Sequence, residues 1–440
     1  MWLHAHPPRN LFWRKAQAKG RGRAARGLVT GRASSTNRRR VAPHPTTAGG
    51  GLFVRESSNR RRMTRNLHIV HVTESVRGGT STYVEELIKD NLEKGYRVSL
   101  LGDERLLTAG LKDIGIAKYH YNATRRLLGI FNASRSVTKL LSALAPDIVH
   151  LHGTFPGLYV RALRSSSYKV VHCAHGWAFC QDVPWIKKAL YAGVERLLSS
   201  KTDVTVNISH FEGRAAMKWG LAGDQVVIRN GVAPSRATSK HVIEPRTDRL
   251  NLGFIGRFDR QKGLEILLDA TAKCQDPAVH LWVAGACDRD RGVQPRMADN
   301  VSFVGWLGAD RIDDFISDLD AVVIPSRWEG FGLVGIEAMR NGKPLIVSDR
   351  GALPEMMIHG FNGLVFNLDD PCGLRRALQC CDRNELRKMG ANALAVYHEA
   401  FRLEMMLGEI NALYERLASA PASTRRGPRG VESLVEGIDS

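Results

Sequence analysis

The chain has 440 residues, 43% of them hydrophobic and 24% charged, with 42 glycines in no fixed period. This excludes a disordered polypeptide, a collagen and a disulfide-stapled mini-domain, and favours roughly two to three domains around a substantial core. The formal net charge of +19 reads at first as that of a nucleic-acid or anionic-membrane binder, but residues 1–62 hold 15 basic side chains against the single acidic Glu56, which leaves 48 against 43 in the rest.

Residues 1–62 lack apolar periodicity and end before a second methionine, Met63. They fit an upstream extension outside the working protein, a disordered basic arm that touches phosphate or lipid, or an Arg-rich transit peptide. From Met63 onward, short β-rich runs alternate with amphipathic stretches. Leu67–Thr73, Val98–Leu101, Asp147–Leu151, Lys169–Cys173, Val204–Ile208 and Val226–Ile228 read as strands, with helices such as Ser81–Glu93 and Pro184–Leu198 between them. Strands apolar nearly throughout, separated by helices, indicate a parallel sheet covered on both faces.

The stretch Ala233–Arg249 is polar, holds two prolines and has no apolar period, so it reads as a linker. The alternation restarts with Leu250–Ile255, Val279–Val283, Val301–Val304, Ala321–Ile324, Pro344–Val347 and Leu364–Phe366. The expected organisation is a first doubly wound α/β domain at 63–235, a linker at 236–248, a second such domain at 249–390, C-terminal helices at 391–418 and a frayed tail at 419–440. The last helix, Phe401–Leu417, carries apolar residues at i, i+3, i+4 spacing and needs a partner surface. No apolar run reaches the roughly 18 residues of a spanning helix, so neither a membrane span nor a secretory signal is expected. Seven cysteines at irregular spacing, Cys380 and Cys381 adjacent, suit a reducing, cytoplasmic compartment.

Three loops carry chemistry. Pro325–Glu337 (PSRWEGFGLVGIE) follows a buried strand and opens a helix, where free backbone N–H groups and the positive dipole end point into the crevice of an α/β sheet. Its two carboxylates, Glu329 and Glu337, would repel a bare phosphate, so the ligand also carries hydroxyls, as a sugar or ribose does. An acidic first turn with a solvated Glu337 is the plainer reading of the same residues. Gly253–Gly263 (GFIGRFDRQKG) places Arg257 and Lys262 around a strand-to-helix turn, where both cations can meet one diphosphate; a solvated basic loop is the alternative. Arg77–Thr82 (RGGTST) is glycine-rich after the first strand but is not GxGxxG, which argues against a nicotinamide-dependent dehydrogenase, and Gly342-Lys343-Pro344 is not a nucleoside-triphosphatase phosphate loop.

Together these residues resemble the family-4 retaining glycosyltransferases of the GT-B fold. Glu329 to Glu337 is similar to their E-x7-E motif, Gly256-Arg257 with Lys262-Gly263 to their GR…KG motif, and Arg229-Asn230-Gly231-Val232 to the NGV that closes their first domain. Asp147–Gly153, Cys173–Gly176, Pro325-Ser326 and Gly351–Glu355 with Asn362-Gly363 match further, in order, over about 67 to 418. The resemblance implies two Rossmann-like domains with parallel sheets facing across a cleft, and transfer of a hexosyl unit from a nucleotide diphosphate sugar to a lipid-linked or polysaccharide hydroxyl, as in lipopolysaccharide and polysaccharide biosynthesis. It implies that Glu337 holds the donor ribose, and that Glu329 with the backbone of Phe331, Gly332 and Leu333 holds the sugar hydroxyls and phosphate. It further implies that Arg257 and Lys262 grip the diphosphate, that the Gly78-Gly79 loop closes on it, and that His175 approaches the transferred sugar, with His152 nearby. The acidic residue many relatives carry after the two glycines is replaced here by Thr80, Ser81 and Thr82.

No cofactor and no metal are expected, because the family uses Arg and Lys where others use a cation. Asp318-Leu319-Asp320 and Asp288-Arg289-Asp290 therefore read as structural, although they match the DxD of metal-dependent transferases. His172, Cys173, His175 and Cys180 imitate zinc spacing, but residues 172 and 173 point to opposite faces of a strand. Another GT-B activity, an epimerase or a sucrose- or starch-type synthase, is the alternative enzyme. A nucleic-acid-binding protein is the alternative of another class, and with its cations in the tail no nucleic-acid partner is expected. The segment Thr124–Leu144 sets Arg125, Arg126, Arg135 and Lys139 beside an apolar stripe, which fits a core-facing helix or a peripheral contact with the cytoplasmic membrane face.

Overall fold

The computed structural model describes residues 67–74, 78–274, 278–287 and 298–419. The basic segment 1–62, Met63, Arg77, the Asp288-Arg289-Asp290 triplet and the tail beyond 419 lie outside these.

The first sheet has seven parallel strands in the order β3-β2-β1-β4-β5-β6-β7: β1 (His68–Thr73), β2 (Arg97–Gly102), β3 (Ala117–His120), β4 (Ile148–His152), β5 (Lys169–Cys173), β6 (Val204–Asn207) and β7 (Asp224–Val227). Its helices are α1 (Gly79–Glu93), α2 (Ala109–Asp113), α3 (Leu127–Leu144), α4 (Thr154–Ala162), α5 (Trp185–Ser199) and α6 (His210–Lys218). Sequence periodicity misses β3 and α2, because β3 is only partly buried at the sheet edge and has no continuous apolar run. The second sheet has six parallel strands, β10-β9-β8-β11-β12-β13: β8 (Leu250–Ile255), β9 (Val279–Ala284), β10 (Val301–Gly305), β11 (Ala321–Ile324), β12 (Leu345–Ser348) and β13 (Gly363–Phe366). Around it lie α7 (Leu264–Ala272), α8 (Ala309–Ser317), α9 (Leu333–Arg340), α10 (Gly373–Gln379), α11 (Arg383–Ala400) and α12 (Leu403–Ser419).

Strand alternation divides the first domain's core in two. Val70, Val72, Val149, Leu151 and Val170 face α3 and α4 through Val137, Leu141, Tyr159 and Val160. On the other face, Ile69, Leu100, Ile148 and Val171 meet Val84, Leu87 and Ile88 of α1 together with Ile410, Leu413 and Tyr414 of α12. The terminal helix therefore packs on the first domain, although it follows the second in sequence. Asn411 Nδ2 donates to Asp90 Oδ2 across that seam at 2.7 Å. The return path runs beside the NGV segment: Val232 N donates to Phe401 O and Leu403 N to Val232 O, both at 3.0 Å. A Cβ on Gly231 would collide with the Arg402 carbonyl, so the glycine is what lets the two crossings touch.

Among the described residues no helix is long and apolar enough to cross a membrane, and no disulfide joins any of the seven cysteines.

Candidate active site

In parallel sheets the strands end at one edge, where loops feed helix N-termini. Here the C-terminal edges of the two sheets face each other. On the second domain, β11 runs into Pro325–Gly332, and α9 begins after Gly332, whose φ of +97° places it in the left-handed region. Glu329 is only 7% exposed, and one carboxylate oxygen, Oε1, accepts from Lys262 Nζ at 2.6 Å and from Ser326 Oγ at 2.9 Å. The Glu329 carbonyl accepts from Ala352 N at 3.1 Å, and Gly351 (φ +60°) lies so close beneath it that no side chain fits. The Gly256–Lys262 turn is stitched to the same loop, since Arg327 N donates to Gln261 O (2.8 Å) and Gln261 Nε2 to Trp328 O (3.1 Å).

The two cations differ in state. Lys262 is mostly buried and committed to Glu329, whereas Arg257 is half exposed, with its guanidinium 3.0 Å from Asp259 and 3.3 Å from Gln261 Oε1. Glu337 lies one turn into α9, where burial raises its carboxyl above the usual range against the opposing pull of Arg340. Phe331 is buried, and Leu333 leads α9 toward the first domain.

The first domain brings Gly78 (φ +105°) at the cap of α1, Gly79, His152 at the end of β4, and His175 after β5. His175 has a φ of +53°, a left-handed conformation uncommon for a non-glycine residue, and the Tyr83 ring packs edge-on against it at 4.7 Å. The domains touch at two glycines: Gly79 lies against Leu333, and Gly330 against Gly176 and Glu212. Glu355 bridges them as well, accepting from His210 N at 2.9 Å and from Arg214 Nη2 at 2.8 Å, and Arg260 pairs with Asp182 at 2.6 Å. A cavity of about 530 Å³ opens beside the cleft, lined by Gln181, Asp182 and Lys188 on one side and Arg327, Trp328 and Arg350 on the other.

Two features were not visible in the sequence. Glu212 is fully buried at the domain seam, with one oxygen accepting from Ile208 N at 3.0 Å; burial pushes its carboxyl up to about 8 against the opposing pull of the Ile208, Gly176 and Trp177 amides. Ser209-x-x-Glu212 reads from sequence as a helix start, and Ser209 Oγ does accept from Glu212 N at 3.1 Å. The second is a buried cluster of His71, His150 and His152, each of which brings one ring nitrogen to within 4.8 Å of the other two. The zinc-like set His172, Cys173, His175 and Cys180 does not assemble: His172 Nε2 faces Gly153 O at 3.3 Å, and Cys173 is buried in the sheet core. Asp318 and Asp320 are committed to structure, since Asp318 accepts from Val242 N at 2.8 Å and Asp320 from Asn251 N at 2.8 Å.

The same order of elements recurs in known proteins. Residues 77–236 match the family profile described as Glycosyltransferase Family 4, and residues 249–382 that of Glycosyl transferases group 1. An uncharacterized 41.2 kDa protein in the cps region of Klebsiella pneumoniae is 27% identical over 318 residues, which cover 69% of this chain and 87% of that protein. The phosphatidyl-myo-inositol mannosyltransferase of Mycobacterium leprae is 26% identical over 369 residues, 78% of this chain and 95% of the relative. The crystal structure of Anabaena Alr3699/HepE, in complex with UDP and glucose, superposes with a TM-score of 0.66 at 18% identity, over 80% of this chain and all of the other. With both profiles matched in chain order over more than half its length, on two parallel sheets that face each other across a cleft, the chain belongs to the family-4 glycosyltransferases of the GT-B fold.

Proposed function

We propose that the protein transfers a hexosyl unit, with retention of configuration and without a metal ion, from a nucleotide diphosphate sugar to a hydroxyl of a lipid-linked or polysaccharide acceptor. The observation that carries this reading is the Lys262–Glu329–Ser326 array at the edge of the second sheet, beside the α9 N-terminus and Glu337 and closed over by Gly176 and Gly79. A site built this way offers cations and free amides to a diphosphate and carboxylates to hydroxyls.

In this reading Glu337 binds the ribose and Glu329 the sugar hydroxyls, with the backbone of Phe331, Gly332 and Leu333 beside them. As the bond from sugar to diphosphate stretches, positive charge grows on the ring and negative charge on the departing phosphate. Arg257, Lys262 and the α9 dipole oppose that negative charge in a site from which domain closure removes water. In this reading no side chain acts as a covalent nucleophile. The departing phosphate takes the acceptor proton on the face it leaves, which retains configuration. His175, with Gly78 and Gly79, completes the pocket from the first domain.

The names of the relatives support the substrate classes: one is a complex with UDP and glucose, one a mannosyltransferase of a phosphatidylinositol, and one lies in a cps region. A peripheral membrane contact is supported by α5, where Trp185, Ile186, Leu190 and Leu197 are 71%, 74%, 64% and 76% exposed and Lys187 and Lys188 stand among them. On α3 the Phe131 ring, half exposed beside Leu128, lies under Arg135 at 4.6 Å. Apolar side chains interleaved with cations suit an anionic lipid surface, and Lys188 also lines the interdomain cavity. The test is nucleotide release from a panel of nucleotide sugars, with and without hydroxyl acceptors, and NMR of the anomeric centre of the product. Release that requires no acceptor, an epimerised donor or an inverted product would each overturn the proposal.

A further inference from the structure

Behind His175 the first sheet holds polar residues where its core would ordinarily be apolar. His71 and His150 are register partners on β1 and β4, and His152 stands two residues further on the same face, opposite Thr73. All three are at most 2% exposed. Burying three imidazoles is costly unless each is hydrogen-bonded; His150 Nδ1 faces Tyr414 Oη at 2.6 Å while its Nε2 has no partner, and the bonds of the other two form a line. His71 Nε2 is 3.0 Å from Asn91 Oδ1 of α1, His71 Nδ1 is 3.0 Å from His152 Nε2, and His152 Nδ1 is 3.2 Å from His175 Nε2.

Burial keeps these rings neutral: His71 is lowered to about 4, His175 to about 3, and His152 well below its ordinary value. Each ring then carries one proton, and each nitrogen–nitrogen contact needs one donor and one acceptor. Asn91 turns its carbonyl oxygen to His71 while its Nδ2 finds no partner; in that orientation the oxygen only accepts, so His71 is protonated on Nε2 and its Nδ1 accepts from His152 Nε2–H. His152 Nδ1 in turn accepts from His175 Nε2–H, which leaves His175 Nδ1 unprotonated; among the described residues it makes no hydrogen bond.

We infer that Asn91, His71 and His152 are positioning residues that lock His175 in one tautomer, presenting a bare Nδ1 that accepts a hydrogen bond from a hydroxyl of the transferred sugar. This rests on the reading of His175 as a site residue and adds to it a direction: the ring acts as an acceptor and supplies no proton to the leaving group. The left-handed backbone at His175 fits the same purpose, since a sparsely populated conformation is held where the surrounding structure over-determines it. A metal ion shared by His71, His150 and His152 is the competing use of these rings. It is disfavoured because His71 and His152 commit both ring nitrogens to Asn91, to each other and to His175, and His150 Nδ1 faces Tyr414 Oη at 2.6 Å, which leaves only His150 Nε2 without a partner.

The experiment is long-range proton–nitrogen NMR of the full-length protein labelled with 15N-histidine, with turnover measured alongside on the wild type, His152→Phe and Asn91→Leu. The expected result is a wild-type His175 protonated only on Nε2 and a mixture of tautomers in both variants. In His152→Phe, kcat should fall by about tenfold to a hundredfold with donor KM unchanged, the size of effect expected when a reacting partner is misoriented. A wild-type His175 protonated on Nδ1, or folded variants that keep both tautomer and turnover, would overturn the inference. So would stoichiometric Zn2+ or Co2+ that survives dialysis and is lost in His150→Ala, because a metal on His152 Nε2 moves its proton to Nδ1 and reverses the line. A fully active His175→Ala would instead remove the role of His175 in the site, while the wild-type tautomer would still report on the chain itself.

Discussion

Replacing Gly330 by alanine tests whether the interdomain contact belongs to catalysis or only to folding. A Cβ built at Gly330 lies 2.9 Å from Glu212 Oε1, 3.0 Å from Gly176 Cα and 3.3 Å from Gly176 N. None of these is the free end of a flexible side chain: Gly176 is backbone, and Glu212 is buried and tied through its other oxygen to Ile208 N. Relief therefore comes from parting the domains by a few tenths of an ångström. Overpacking of this kind costs about 1–3 kcal/mol. Because the clash exists only when the domains are together, the cost falls on closure, which corresponds to a loss in closed population of roughly 5-fold to 150-fold. The assay is kcat on a nucleotide sugar, paired with thermal melting and small-angle scattering. We expect a large loss of turnover with little change in Tm and a more open average shape. Gly193→Ala is the control: it lies in α5 with nothing within 4 Å of its added Cβ, so it should leave turnover unchanged and stabilise by up to about 1 kcal/mol. Wild-type turnover in Gly330→Ala, or a drop in Tm large enough to explain the loss, would refute the reasoning.

Arg257→Ala should lower kcat by about a hundredfold or more, ~3 kcal/mol, with a smaller effect on donor affinity. It is a cleaner probe than Lys262→Ala, which would also strand the buried Glu329 carboxylate; unchanged turnover would remove Arg257 from the mechanism. Glu337→Ala should weaken nucleotide-sugar binding by ~1.5–3 kcal/mol, measured by calorimetry, since a hydroxyl bonded to a charged acceptor is lost. Glu212 holds its proton in the folded state up to about pH 8, whereas the unfolded chain releases it near the ordinary 4.5. The folded state binds more protons across that window, so stability falls as pH rises through it. The Tm of Glu212→Gln should decline less than that of the wild type between pH 5 and 8, and parallel curves would rule out this linkage. Ile186→Glu with Leu190→Glu on α5 should cost about 1.5 kcal/mol or more per residue in sedimentation with anionic phospholipid vesicles, and binding that persists would dismiss α5 as the contact.

What could be read from sequence follows from the range of the interactions involved. Lys169–Cys173, Leu250–Ile255 and Ala321–Ile324 are legible to the residue, because strands buried on both faces must be apolar throughout. The Glu329 to Glu337 loop was legible as a site because a strand, a glycine-containing turn and a helix start are adjacent in the chain. The pairing of Lys262 with Glu329 was not, since it joins residues 67 apart. The buried histidines were hidden for a similar reason: His71 and His150 look like stray polar residues in apolar strands until the register of β1 against β4 sets them side by side. Glu212 was masked by its local fit as a helix-start residue, and its second oxygen matters only because Gly330 arrives from the other domain. Periodicity showed that the last helix needed a partner, but the choice of the first domain depends on Asp90 and His150, which Asn411 and Tyr414 reach across the molecule.

The two strands of chain that cross between the domains, pinned to each other at Val232 and Arg402, limit how the halves can move. A body held by a single tether can twist, tilt and slide. One held by two tethers that meet at a common point keeps only a swing about that point, and the α12 anchorage on the first domain removes most of the sliding. Any opening of the cleft would then be a hinge-like rotation, and its reversal would return Gly330 to Gly176 and Leu333 to Gly79. Registry at the cleft is thus set by where the polypeptide crosses, with Phe401 packed edge-on against Phe331 of the donor loop at 5.9 Å, so a substitution at Gly231 would spoil catalysis by misaligning the swing rather than by touching any group that reacts.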